Sequence, residues 1–213
     1  MKKSILIIAV LLISLSGQAQ KNEYSSVMKE TLERYRNGQT LEDYQQLANS
    51  FSLIAGTEKG EWLPLYYHAF CYINMSLSDT TGAEKKDAYL DVAEKSIDQA
   101  ISLVPGESEL YTLQAVLFSA RLLVNPRERG QEFSGLTVQA YRKALALEAN
   151  NPRARFIKLR NDVGAARYFG KDPRDYLAQA TDLVAKWDEY TVKSPLYPSW
   201  GKEQLANLVK SLQ

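Results

Sequence analysis

The chain has 213 residues, of which 45% are hydrophobic and 24% are charged, and it contains 11 Gly and 7 Pro. A folded chain of this length buries most of its apolar surface, so the composition excludes a disordered tail, a collagen-like fibre and a multi-pass membrane protein. A single Cys and a single His exclude dithiol redox chemistry and most metal centres, because such sites need clusters of these ligands.

Residues 1–19 have the three-part pattern of a secretory signal peptide. Two basic residues, Lys2 and Lys3, precede an apolar run over 5–13 and a small, polar ending at Ala19. The run is too short to span a bilayer of roughly 30 Å, so stable membrane insertion is not expected. The residue directly after Ala19 is not Cys, so a lipoprotein anchor is not expected either. We expect cleavage after Ala19 and a mature protein that is periplasmic or secreted.

Charge is distributed unevenly along the expected mature chain. Residues 20–120 carry 8 basic and 15 acidic side chains, residues 121–174 carry 12 and 5, and residues 175–213 carry 4 and 5. A nearly neutral protein with opposite halves is a poor nucleic-acid binder, so no nucleic acid partner is expected. The halves are interpreted as complementary faces, either within one domain or between self-associating copies.

Helical periodicity dominates the sequence, and no segment alternates as a strand would. Capping residues, Gly and Pro divide the chain into segments whose apolar residues recur every three to four positions. The fold class is therefore predicted to be all-α. The predicted helices cover 23–36, about 41–55, a segment that opens at 60–61, 84–103, 107–124 and 136–149, followed by two or three more that include a short one after Gly201.

Several helices share a repeated pattern of small and large residues. Ala93-x3-Ile97-x2-Ala100 matches Thr137-x3-Tyr141-x2-Ala144, and the helices preceding these two also match each other. Over about 40–170 the chain resembles the tetratricopeptide repeat superfamily, most clearly at 141–152. The resemblance implies a right-handed α-solenoid of three to four antiparallel helix pairs in one domain over 20–213, with terminal helices and a C-terminal capping helix in 171–213.

The repeat spacing departs from that family. The units that begin at Leu65, Tyr111 and Arg155 are 46 and 44 residues apart, whereas the family repeat has about 34. The additional residues are predicted to form long loops around 76–86 and 125–135, which contain Gly, Pro, Ser and Asn.

Catalytic chemistry has little support in this sequence. His68 occupies a packing position, and Cys71 lies three residues later in an aromatic helix, where it is typical of a buried small hydrophobe. No nucleophile motif, phosphate-binding glycine loop or metal-ligand spacing is present. We therefore predict a non-enzymatic protein with no catalytic residues, no metal and no cofactor.

The family resemblance instead suggests a groove that binds an extended peptide. An aromatic patch followed by the arginines Arg153 and Arg160 suggests an apolar segment ending in a carboxylate, although the family's carboxylate clamp is not reproduced. The alternative is that these side chains only pack against neighbouring helices. The groove residues would be Leu63, Tyr66, Phe70, Ile73, Glu109, Thr112, Val116, Ser119, Arg153, Phe156 and Arg160.

Two shorter segments add further hypotheses. Asp79-Thr80-Thr81 resembles the O-glycosylation acceptor of Bacteroides-type bacteria, with Thr80 as the modified residue, and the end of the signal resembles those of Bacteroidetes. Residues 194–201, rich in Pro and aromatics, are expected to fold back over the last helix pair.

The sequence thus predicts an exported scaffold or adaptor of the bacterial envelope that binds a protein or peptide. Two alternatives stay open. One is a ligand-binding or hydrolytic protein with a pocket under the loops at 76–86 and 125–135. The other is a structural component of the envelope that assembles with itself.

Overall fold

The computed structural model describes residues 22–36, 40–77 and 82–213. The expected signal peptide and Thr80 lie outside the described residues. Within those residues the chain forms nine α-helices and two short 3-10 turns, and no strand. The α-helices are α1 (22–36), α2 (Leu41–Thr57), α3 (Leu63–Ser76), α4 (Ala83–Leu103), α5 (Ser108–Val124), α6 (Pro126–Leu147), α7 (Pro152–Tyr168), α8 (Leu177–Ala185) and α9 (Lys202–Leu212).

Local capping explains where several helices begin. The Thr40 side chain accepts a hydrogen bond from the backbone N–H of Asp43, and the Asp43 carboxylate accepts one from the backbone of Thr40. At α7, the Asn151 side chain accepts from the N–H groups of Arg153 and Ala154, and Pro152 occupies the first turn. These helix starts follow directly from the sequence.

The predicted loop at 125–135 is wrong, because this segment is helical. Asn125 caps α6 by accepting from the N–H of Glu128, and Pro126 occupies the first helical position. Gly130 therefore lies inside the helix, and Arg129 bonds the Asp87 carboxylate of α4 with two nitrogens at 2.6 and 2.7 Å. In the preceding repeat, α4 begins at Ala83, so the last residues of the predicted loop at 76–86 are also helical. The additional residues of each repeat thus lengthen α4 and α6 to 21 and 22 residues.

Consecutive helices from α2 to α7 pack against each other, and α3, α5 and α7 also contact one another in succession. This arrangement makes α3, α5 and α7 one layer of an all-α helical-repeat fold. Small buried residues such as Ala69, Ala93, Ala115 and Ala144 allow the helices to approach closely, and larger residues such as Ile97 fill the space between them. The small and large positions of the sequence pattern therefore form the core.

The opposite charges of the chain meet inside this fold. Arg121 bonds Asp91 at 2.7 Å and also bonds Glu94, both on α4. Arg129 bonds Asp87 of the same helix, and Arg153 of α7 bonds Glu109 of α5. Basic side chains of 121–174 thus pair with acidic side chains of 83–109, which supports the interpretation of complementary faces within one domain.

Replacing Ala144 with Leu tests the small-residue positions. Because Ala144 is fully buried, we expect the larger side chain to lower the free energy of unfolding by about 1–3 kcal/mol. Ala146→Leu is the matched control, since Ala146 lies on the same helix and is exposed. Urea denaturation followed by circular dichroism measures both variants. Equal stabilities would contradict close packing at Ala144.

Candidate binding site

The C-terminal segment 190–201 crosses the helical layer and reaches the first repeats. The Tyr67 hydroxyl donates a hydrogen bond to the backbone oxygen of Leu196 at 2.8 Å, and the Trp200 indole N–H donates to the Tyr66 hydroxyl at 2.7 Å. The Tyr197 hydroxyl donates to the Glu107 carboxylate at 3.0 Å. This segment was expected to fold back over the last helix pair, and its hydrogen bonds also reach α3 and the residue before α5.

Beneath this segment lies a buried ion pair between α5 and α7. Arg153 Nε lies 3.0 and 2.9 Å from the two carboxylate oxygens of Glu109, and Arg153 Nη2 lies 2.7 Å from Oε1. Burial alone would lower the pKa of Arg153, but the hydrogen bonds and charge of Glu109 raise it above its ordinary value. The Asn151 amide donates to the same carboxylate and to the Ser108 hydroxyl, so each charge has polar partners.

The structure places most of the predicted groove residues inside the protein. Arg153 is 2% exposed and bonded to Glu109, and the Arg160 guanidinium lies outside the core, 5.9 Å from the Phe156 ring. The two arginines therefore do not form an accessible pair that could hold a carboxylate. The buried members of the predicted set are Leu63, Tyr66, Phe70, Ile73, Glu109, Thr112, Val116, Arg153 and Phe156.

An open cavity of about 700 Å³ lies between α1, α2, α3, α8, the C-terminal segment and α9. Phe70 is the one predicted groove residue that lines this cavity. The aromatic side chains of the cavity are Tyr35, Tyr44, Phe70 and Trp200. The charged and amide side chains of the cavity are Arg36, Asn74, Lys202, Glu203, Gln204 and Asn207. The volume falls in the usual range for small-molecule sites, roughly 300–1,000 Å³.

The four aromatic rings of the cavity follow one another in space. The ring centres of Tyr44 and Tyr35 are 6.3 Å apart, and those of Tyr35 and Phe70 are 5.9 Å apart. Phe70 stacks on Trp200 at 5.4 Å with an angle of 23° between the planes. Burial raises the pKa of the Tyr35 hydroxyl, with smaller contributions from Tyr44, Cys71 and Tyr67. These four rings, which we name the aromatic wall, can contact a flat, apolar ligand in the cavity.

Two cationic side chains accompany the aromatic wall. Arg36 of α1 is exposed and forms no ion pair with any described residue. Lys202, at the start of α9, bonds the Asp188 carboxylate at the surface. Glu203 is the one acidic residue among the lining side chains of the described chain. Carboxylate groups of a ligand could pair with Arg36 and Lys202.

His68 and Cys71 are not among the residues that line the cavity. The His68 ring nitrogen Nδ1 is 2.8 Å from the Ser96 hydroxyl, and burial lowers the pKa of this His. Burial raises the pKa of the Cys71 thiol to about 12, which leaves it protonated and unreactive. The described residues contain no group of three or more His, Cys, Asp or Glu side chains that could hold a metal ion.

Sequence reasoning missed Tyr35, Tyr44 and Trp200 as members of one site. They come from α1, from α2 and from the segment before α9, so no repeat spacing connects them. The aromatic residues of α1, of α2 and of the segment before α9 were the available signal, but only the fold shows that these parts of the chain meet.

The described residues contain no helix with the length and hydrophobicity that a membrane span requires.

The chain is similar to one solved structure. No protein-family model matches it, and no curated protein matches it, so membership of the tetratricopeptide superfamily stays a prediction. The solved structure of the HusA haemophore from Porphyromonas gingivalis matches with a TM-score of 0.78 and 30% sequence identity. The match covers 89% of this chain and 92% of the haemophore chain.

Replacing Gly201 with Ala tests the junction between the C-terminal segment and α9. Gly201 has a φ of 111°, and an added Cβ would lie 2.7 Å from the Trp187 ring. We expect a loss of roughly 2–4 kcal/mol in the free energy of unfolding. Gly106→Ala is the control, because its added Cβ would meet nothing within 4 Å. Chemical denaturation would contradict the prediction if both variants matched the wild type.

Proposed function

The chain belongs to the family of the HusA haemophore, and from that premise we propose that it binds haem or a closely related tetrapyrrole in the cavity. The similarity extends over 92% of the haemophore chain, so it concerns the whole domain and not a single repeat. The proposed activity is non-enzymatic binding, and the expected signal peptide would place it in the bacterial envelope or outside the cell.

The aromatic wall is the observation that carries this proposal. A tetrapyrrole is a flat macrocycle with two apolar faces, and such a ring packs well against stacked aromatic side chains. Phe70 and Trp200 stack on each other, and Tyr35 lies beside Phe70 and Tyr44 at interplanar angles of 47° and 51°. The aromatic wall thus gives a macrocycle several rings to contact along the cavity.

The cationic side chains fit the other end of such a ligand. Haem carries two propionate groups, which are negatively charged at neutral pH. Arg36 forms no ion pair with a described residue, and Lys202 bonds Asp188 at the exposed surface. Charge-assisted hydrogen bonds from these side chains to propionates would orient the macrocycle in the cavity.

The buried groove favours this ligand-binding proposal over the peptide hypothesis. Tyr66, a predicted groove residue, and its neighbour Tyr67 are hydrogen-bonded to the chain's own C-terminal segment. A peptide would have to displace that segment and break these hydrogen bonds. A ligand in the open cavity would require no such rearrangement.

Titration with haem tests the proposal directly. We expect saturable binding with one ligand per chain, detected by a change in the haem absorption band and by quenching of Trp fluorescence, because Trp200 lines the cavity. The double variant Arg36→Gln/Lys202→Gln should raise the dissociation constant about tenfold or more, since it removes two charge-assisted contacts.

The double variant Arg34→Gln/Lys210→Gln is the matched control. It makes the same charge change on the same two helices, but neither residue lines the cavity. We expect the control to bind haem as the wild type does. Absence of haem binding to the wild type, or an equal loss in both double variants, would contradict the proposed site.

A further inference from the structure

Two adjacent aromatic residues project into solvent where α7 ends. Tyr168 is 84% exposed and Phe169 is 71% exposed. Their rings contact each other edge to face, with centres 5.1 Å apart. These side chains lie outside the cavity and outside the core, so neither the fold nor the proposed function accounts for them. We name them, with the turn that follows, the aromatic corner.

The aromatic corner is a defined turn. The backbone N–H of Phe169 donates to the oxygen of Ala165, and that of Lys171 donates to the oxygen of Ala166 at 2.8 Å. Gly170 between them has a φ of 68°, which ends the helix in a glycine cap. The backbone therefore holds both rings at the corner of the molecule, with no described side chain covering them.

Basic side chains lie beside the aromatic corner. Arg167 and Lys171 flank the two rings, are exposed and form no ion pair with a described residue. The next acidic residue, Asp172, is bonded by Arg174 with two nitrogens, and Asp175 is exposed. Residues 167–175 thus carry three basic and two acidic side chains, a small positive excess beside the two rings.

We propose that the aromatic corner docks on an anionic lipid surface. Two aromatic side chains bury about 150–250 Å² each, which is far below the roughly 800 Å² per partner of a stable protein interface. The same pair suits the boundary of a bilayer, where aromatic rings enter between headgroups and nearby basic residues meet negative charge. Size and charge therefore favour lipid over a second copy of the chain.

The corner contacts the last turn of α9, whereas the cavity is lined by the first half of that helix. Lys202 and Asn207 line the cavity, and Ser211 accepts a hydrogen bond from Arg167 beside the corner. At 1.5 Å per residue, the helix separates Ser211 from Asn207 by roughly 6 Å and from Lys202 by roughly 14 Å. The aromatic rings of the corner are thus distinct from the cavity lining.

Vesicle co-sedimentation tests this proposal. We expect the wild type to bind vesicles of phosphatidylcholine and phosphatidylglycerol in equal parts, and to bind pure phosphatidylcholine vesicles more weakly. Tyr168→Ser/Phe169→Ser should reduce the partition coefficient at least about tenfold. Arg167→Gln/Lys171→Gln should weaken binding to the anionic vesicles and reduce its dependence on salt.

Leu53→Ser is the matched control, because Leu53 is 74% exposed on α2, away from the corner. It should bind vesicles as the wild type does, and all variants should keep the wild-type circular dichroism spectrum. The aromatic variant should also keep wild-type haem affinity, which separates this test from that of the cavity.

Three results would overturn the lipid proposal. The first is failure of the wild type to bind the anionic vesicles, and the second is equal binding by the wild type and Tyr168→Ser/Phe169→Ser. The third is a lipid-free dimer that only the aromatic variant disrupts, as measured by analytical ultracentrifugation. That result would assign the corner to an interface between copies of the chain.

Discussion

The buried pair of Arg153 and Glu109 is the interaction on which the layer formed by α3, α5 and α7, here called the inner layer, depends. It joins α7 to α5 at a depth where an unpaired charge would be strongly destabilising. Asn151 supports the same carboxylate and also caps α7, so the ion pair and the helix start are parts of one hydrogen-bond network. An added Cβ at Gly201 would lie 3.4 Å from the Arg153 stem, which places the beginning of α9 directly on this network.

This network lies beneath the C-terminal segment, which covers part of the surface where the groove was predicted. The C-terminal segment rests on the inner layer and uses Tyr67, Tyr66 and Glu107 as hydrogen-bond partners. It thereby brings Trp200 onto Phe70 and completes an aromatic wall that no single repeat contains. The proposed ligand site is thus a product of the chain's two ends meeting on a common scaffold.

The features of the fold that depend on local interactions could be predicted from the sequence. Most helices, their caps and the small and large core positions follow from short-range periodicity, as Thr40 and Asn151 show. The prediction of a loop at 125–135 is wrong because it assigned the residues in excess of the family repeat to a loop, whereas the cap at Asn125 and the bonds from Arg129 to α4 stabilise a longer helix. The cavity could not be predicted, because which surface the C-terminal segment covers depends on contacts between residues far apart in the chain.

The indole N–H signals of the three Trp residues in a nuclear magnetic resonance spectrum test the central claim most directly. Trp200 lines the cavity, whereas Trp62 and Trp187 are buried outside its lining. On titration with zinc protoporphyrin, a diamagnetic haem analogue, the account predicts that the Trp200 signal shifts most and the other two shift little. A dominant shift at Trp187, beside Arg153, or an unchanged Trp200 signal in a saturated complex would contradict it.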